Sequence, residues 1–233
     1  MIIECVWEHN GSDSLLYSSN LIGAFTRGAS KEEALEKMPH EAASYCAWLG
    51  RPVCGPFDIR IIQEKQSALE IKDADSDVIF DTERAALSKD EYERLKAIAL
   101  KSAADLLKLY EAFDDKTASA LPERDTFYGK APRTAEEMYL HTKNVNAYYF
   151  GEIGIDADND GSILENRTRG FEALEKSANY LEARVFDGCG GEQWSLSKLL
   201  RRFIWHDRIH AKAMYRMGIK TFGKHAIPNV FEF

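Results

Sequence analysis

The sequence predicts an α+β protein in which a small β-β-α-β unit, residues 1–80, is followed by a four-helix bundle, residues 85–233. Three observations carry this. Short β-branched and alternating runs flank one Ala/Glu-rich helical run near the N-terminus. Beyond residue 88, four segments repeat apolar residues at helical spacing, joined by one or two long connections, the pattern of a bundle. Between the two halves, residues 67–83 are polar and acidic, which suits the end of a sheet and a linker.

Taken in order, residues 1–8 are rich in Ile, Val and Trp and read as a strand. Asn10-Gly11-Ser12 is a turn signal, and residues 14–17 are its hairpin partner. Ser30-Lys31-Glu32-Glu33 is a capping box opening a helix to about Trp48, with Ala34, Leu35, Met38, Ala42 and Cys46 on one side. Pro39 falls inside it and should kink or split it. Residues 57–63 alternate Phe57, Ile59, Ile61 against Asp58, Arg60, Ile62 and read as another strand.

Ser88-Lys89-Asp90-Glu91 is a second capping box. Its helix runs to about Phe113, with Tyr92, Leu95, Ile98, Ala99, Ala103, Leu106 and Leu109 inward. A connection containing Pro122, Gly129 and Pro132 leads to a third box, Thr134-Ala135-Glu136-Glu137, and a helix to about Glu152. The next helix is expected over 163–185. The last occupies 195–217, where no Gly or Pro occurs before Gly218.

Composition excludes several roles. Over 233 residues, 29% are charged and 45% hydrophobic, the balance of a globular protein. No apolar run approaches the roughly 20 residues of a membrane span, and residues 1–11 resemble no signal peptide. The expectation is a cytoplasmic protein. A net charge of -8 argues against nucleic acid as a partner. The densest basic cluster, Lys198, Arg201, Arg202 and Arg208, is expected on a solvated helix face. Cys5, Cys46, Cys54 and Cys189 show no disulfide or zinc-ribbon spacing.

The last helix carries the strongest chemical signal. His206 and His210 lie four residues apart inside its apolar stripe, so both imidazoles leave one face. Such a pair can hold two cis positions on zinc, nickel or iron. Alone, such a pair more often marks buried, hydrogen-bonded histidines than metal ligands. His141, in the core stripe of the second bundle helix, is the candidate third ligand. Three histidines and no carboxylate would leave positions open for water and substrate. A di-iron centre would need Glu-x-x-His on two helices, which the sequence lacks.

Two resemblances extend this reading. RTAEEMYLHTKNVNAYYFGEIG and WSLSKLLRRFIWHDRIHAKAM, with the four-helix order, resemble the DinB/YfiT-like superfamily over about residues 85–223. The resemblance implies that His141, His206 and His210 hold a divalent metal ion, usually zinc or nickel, often in a homodimer. It implies a small-molecule substrate and a thiol cosubstrate, since characterised relatives include thiol-dependent S-transferases and isomerases; hydrolysis at such a centre is the other option. Gly23, Gly28, Ser30, Glu33 and Ala34, in GAFTRGASKEEALEKM, resemble the HicB-type antitoxin module over about residues 1–75. That implies partner recognition and supports an alternative: a regulatory module whose bundle serves dimerisation. The DNA-binding tail usual in that family has no counterpart here.

Other residues near these motifs carry two readings each. Glu137 fits an acceptor for His141 or a helix cap. Tyr148 and Tyr149 fit a substrate hydroxyl contact or core packing. Asp207 and Arg208 should point away from the histidines into ion pairs with neighbouring helices. Cys189 sits in a Gly-rich loop, with nothing to lower its pKa. Asp156-x-Asp158-x-Asp160-Gly161 resembles half of a calcium loop, but Arg167 stands where the bidentate Glu belongs.

Overall fold

The computed structural model describes residues 1–52 and 55–233; Cys54 lies outside them. A small N-terminal sheet is followed by helices. Strands β1 (Ile2–His9), β2 (Ser14–Ser18), β3 (Phe25–Gly28) and β4 (Asp58–Gln66) form one sheet in the order β3-β2-β1-β4. β1 pairs antiparallel with β2 and parallel with β4, placing Cys5 opposite Ser18 and Ile2 opposite Asp58. Helix α1 (Lys31–Trp48) is the crossover that the parallel pair requires. Ser30 caps α1, its hydroxyl accepting from Glu33 N at 3.3 Å. The helix runs through Pro39 without splitting.

β3 was not expected. Its four residues are too few for an alternating pattern to emerge from the sequence. Gly28 marks why β3 can turn directly into α1: a Cβ there would lie 2.9 Å from Ala34 N and 2.9 Å from Glu33 Cβ.

The sheet is buried on both faces. Ile3, Cys5 and Leu16 join α1 in the main core, while Val6, Leu15 and Tyr17 pack with Ile71, Val78, Phe80 and Trp205. Residues 67–83, expected as a polar linker, thus supply buried apolar anchors through 3-10 turns at Ile71–Asp73 and Asp81–Arg84. Three apolar residues among the carboxylates are enough to hold the segment down.

The helical part comprises α2 (Lys89–Glu111), α3 (Ala135–Lys143), α4 (Asn146–Gly151), α5 (Ile163–Glu175) and α6 (Leu196–Phe222). α2 packs against α3, α5 and α6, and α3 against α6. All seven residues expected on the inner face of α2 are buried. Two-residue hairpins are formed by β5 (Asp125–Thr126) with β6 (Gly129–Lys130) and by β7 (Phe186–Asp187) with β8 (Gln193–Trp194).

Four expectations are corrected. The helix expected from 134 to 152 breaks at residues 144–145, where loop side chains replace helical hydrogen bonds: Asn159 donates to Asn144 O at 3.0 Å and accepts from Ala147 N at 2.9 Å. The helix expected to 185 stops at Glu175; beyond it Asn179 adopts φ +60°, Leu87 N donates to Leu181 O, and Tyr180 packs edge-on against Tyr92 at 5.1 Å. Tertiary contacts there override helical composition.

The last helix continues past Gly218 to Phe222, ending at Gly223 with φ +101°. Gly218 serves packing instead, since a Cβ would lie 2.7 Å from Ile227 and 2.8 Å from Phe113. Finally, the basic cluster on α6 is not solvated. Lys198, Arg201 and Arg208 are buried and Arg202 is partly buried. Periodicity shows which α6 residues are polar, but it cannot show that the sheet and residues 76–83 cover that side.

Candidate metal centre

α6 is built to be rigid where it matters. Ser195 caps it, accepting from Lys198 N at 3.1 Å, and five charged side chains lock it to its surroundings. Arg167 of α5 pairs with Asp207, which also accepts from the Ser102 hydroxyl at 2.5 Å. Arg201 pairs with Glu83. Glu41 of α1 accepts from Arg208 at 2.8 Å and from Lys212 at 2.6 Å. Burial alone would raise the Glu41 pKa; Arg208 and Lys212 override it and hold the carboxyl below its ordinary range. Lys198 pairs with Glu192 at 2.9 Å, yet burial still lowers its pKa to about 8. Asp207 and Arg208 point away from the histidines into ion pairs with neighbouring helices.

On the other side of this frame, His141, His206 and His210 converge. Their ring centroids lie 4.4 Å apart for His206 and His210, 4.6 Å for His141 and His210, and 5.2 Å for His141 and His206. One ligand nitrogen from each falls within 4.8 Å of the other two, close enough for the three to hold a metal ion. His206 Nε2 and His210 Nε2 are 3.1 Å apart. Ligands at about 2.1 Å on a tetrahedral ion sit roughly 3.4 Å from one another, so the α6 pair is already spaced for chelation.

Electrostatics favour the ligating form. Burial lowers the pKa of all three histidines. For His206 the neighbouring His210 and His141 add to the effect, taking it well below the ordinary value; for His210 burial and His141 take it down to about 3. Neutral imidazole is the form that binds metal. His206 Nδ1 is buried without a hydrogen-bond partner among the described residues. It therefore lacks the outer acceptor that usually orients a ligating imidazole. Its ring is held by packing instead, with Tyr149 edge-on at 5.9 Å.

The triad opens onto a cavity of about 230 Å³. Tyr128, at the tip of the β5–β6 hairpin, stacks over His141 at 5.7 Å. Tyr148, Arg202, Asp73 and Asp75 also line the cavity. Arg202 donates to Ser76 O at 3.0 Å. Nothing in the sequence points to Tyr128, Asp73 or Asp75 here, because they sit in loops or short turns whose paths no periodicity records. Arg202 carried a weak signal, one turn before His206 on the same helix.

The remaining expectations resolve as follows. Glu137 is the cap of α3, its carboxylate accepting from Arg133 N at 2.9 Å and Thr134 N at 3.1 Å, so it is not a support for His141. Tyr149 is buried, whereas Tyr148 is exposed at the cavity wall. Cys189 is exposed, and hydrogen bonding to Glu152 raises its pKa. Asp158 pairs with Arg169, and Glu165 caps α5 with Ser162, so the calcium-like loop is held by protein contacts.

Comparison with protein families, with curated proteins and with solved structures finds no match for this chain. Fold and site therefore define only a mixed α+β protein with three convergent histidines beside a cavity. No helix among the described residues is long and apolar enough to cross a membrane.

Proposed function

We propose that this chain is a metal-dependent protein of the DinB/YfiT-like kind, with a HicB-like N-terminal unit, that acts on a small electrophilic molecule by thiol transfer or hydrolysis. The observation that carries this reading is the convergence of His141, His206 and His210, all held neutral, on one side of a cavity. A divalent ion there, zinc or nickel by the DinB/YfiT-like resemblance, would act as a Lewis acid and lower the pKa of a bound water or thiol. Three protein ligands leave room for such a cosubstrate, which distinguishes a reactive centre from a closed structural one.

The surrounding residues have defined tasks in this reading. Phe127 and Tyr128 limit the access of water. Arg202, anchored to Ser76 O, places positive charge on the cavity wall where an anionic part of the substrate can dock. Partial desolvation at the cavity wall and the nearby Glu192 and Glu152 carboxylates raise the pKa of the Tyr148 hydroxyl, so it serves as a hydrogen-bond donor.

The test is equilibrium titration of chelator-treated protein with zinc and with nickel. Wild type is expected to bind one ion per chain, and His141→Ala, His206→Ala and His210→Ala to weaken binding by roughly 100-fold or more. Absence of binding by wild type, or equal binding by the variants, removes the proposal. Tight binding with no water or thiol able to exchange at the ion favours the regulatory alternative.

A further inference from the structure

A second concavity lies between the free edge of the sheet, α1 and α6. It encloses about 450 Å³, and its walls carry Arg27 from β3, Lys37 and His40 from α1, and Lys212 and Arg216 from α6. Phe25 and Ile209 supply an apolar floor. Its one carboxylate, Glu41, is buried, and both its oxygens are already taken by Arg208 and Lys212. This concentration of cations stands on a chain of net charge -8.

The cations are unequally engaged. Arg27 donates to the carbonyls of Ile71 and Lys72, and Lys37 donates to Glu33 at 2.5 Å and to Arg27 O. Lys212 gives one of its three N–H groups to Glu41. Arg216 is exposed and has no hydrogen bond or ion pair among the described residues, and the same holds for His40. Hydrogen bonds to backbone carbonyls therefore occupy Arg27, and ion pairs occupy part of Lys37 and Lys212, which leaves Arg216 and spare donors of Lys212 facing one space.

We infer that this groove binds a small organic oxyanion, a phosphate ester or a polycarboxylate, with Arg216, Lys212 and Lys37 on the anionic groups and Phe25 and Ile209 under the organic body. Arginine suits bidentate contact with such groups and lysine adds point charge. The net negative charge of the whole chain opposes extended polyanions, which favours a compact ligand over nucleic acid. The inference is independent of the metal proposal.

The test is calorimetric titration of the full chain with inorganic pyrophosphate and, separately, with citrate, which distinguishes the phosphate from the carboxylate source. Both probes chelate metals, so His206→Ala is titrated in parallel and is expected to bind them as wild type does. Wild type should bind at least one probe with one-to-one stoichiometry. Arg216→Glu and Lys37→Ala should each weaken binding roughly tenfold or more. Lys65→Glu changes the net charge as Arg216→Glu does, but on β4 at the opposite edge of the sheet; it should change affinity less than about twofold. The inference is overturned if neither probe binds, if Lys65→Glu weakens binding as much as Arg216→Glu, if His206→Ala abolishes it, or if a short single-stranded DNA competes at equal affinity.

Discussion

The two sides of α6 differ in how their polar groups are used. On one side Arg201, Asp207 and Arg208 are buried and each meets an opposite charge. On the other, His206 and His210 are turned toward His141 and a cavity, and neither meets an opposite charge among the described residues. Polar groups that fold a protein are matched; groups kept neutral and facing one another, with a space beside them, suit a ligand. The same helix thus serves as strut and as ligand carrier, and the matched side holds the other still.

The sharpest way to break this contrast is on the matched side. Asp207→Ala strands the Arg167 guanidinium, whose side chain is fully buried, and should cost about 3–5 kcal/mol in urea denaturation. Replacing both partners, Arg167→Met with Asp207→Leu, should recover much of that loss. Similar stability for the single and double variants would mean the pair is not the strut described here.

Gly23→Ala probes the junction between the sheet and α6. Gly23 has φ +97°, and a Cβ would lie 2.2 Å from Ile204 Cγ2. Overpacking of about 1–3 kcal/mol, plus roughly 1 kcal/mol of backbone strain, is expected from the same denaturation curves. A neutral effect would show that this contact yields easily.

On the histidine side the expected signature is pH dependence. The folded pKa values lie below the ordinary imidazole value, so the unfolded chain binds protons that the folded chain does not. Stability of the metal-free protein should therefore fall as pH drops from about 6.5 toward 3, by up to about 1.4 kcal/mol per pH unit per histidine. Above that window these groups contribute no slope. His206→Gln with His210→Gln should flatten the curve relative to wild type, and an unchanged slope would assign the effect to carboxylates.

The smallest stability effect is expected for His210→Ala in chelator, less than about 1 kcal/mol, because this partly buried side chain has only His206 as a hydrogen-bond partner among the described residues. Zinc should raise the melting temperature of wild type and leave this variant unmoved. A large loss of stability without metal would make His210 a structural residue.

Much of this was legible from the chain. Ser30, Ser88 and Thr134 all cap the helices they precede, because capping is a local interaction that spacing alone reveals. The 141/206/210 grouping was also readable, since two members share a helical stripe and the third lies on an apolar stripe facing them. What could not be read depends on contacts distant in sequence. Lys198, Arg201 and Arg208 looked like a solvated face because their partners Glu192, Glu83 and Glu41 lie on other segments. Tyr128 reaches His141 only through the geometry of a two-residue hairpin. The breaks at 144–145 and after Glu175 follow from Asn159 and from Asn179 with Tyr180, none of which alters the periodicity of its segment.

X-ray absorption fine structure on zinc-loaded protein measures the central claim directly. Three imidazole nitrogens at about 2.0–2.1 Å plus one exchangeable water oxygen is the predicted shell, reduced by one imidazole in His141→Ala. A sulfur neighbour near 2.3 Å in thiol-free buffer, or a shell unaltered by that substitution, would contradict it.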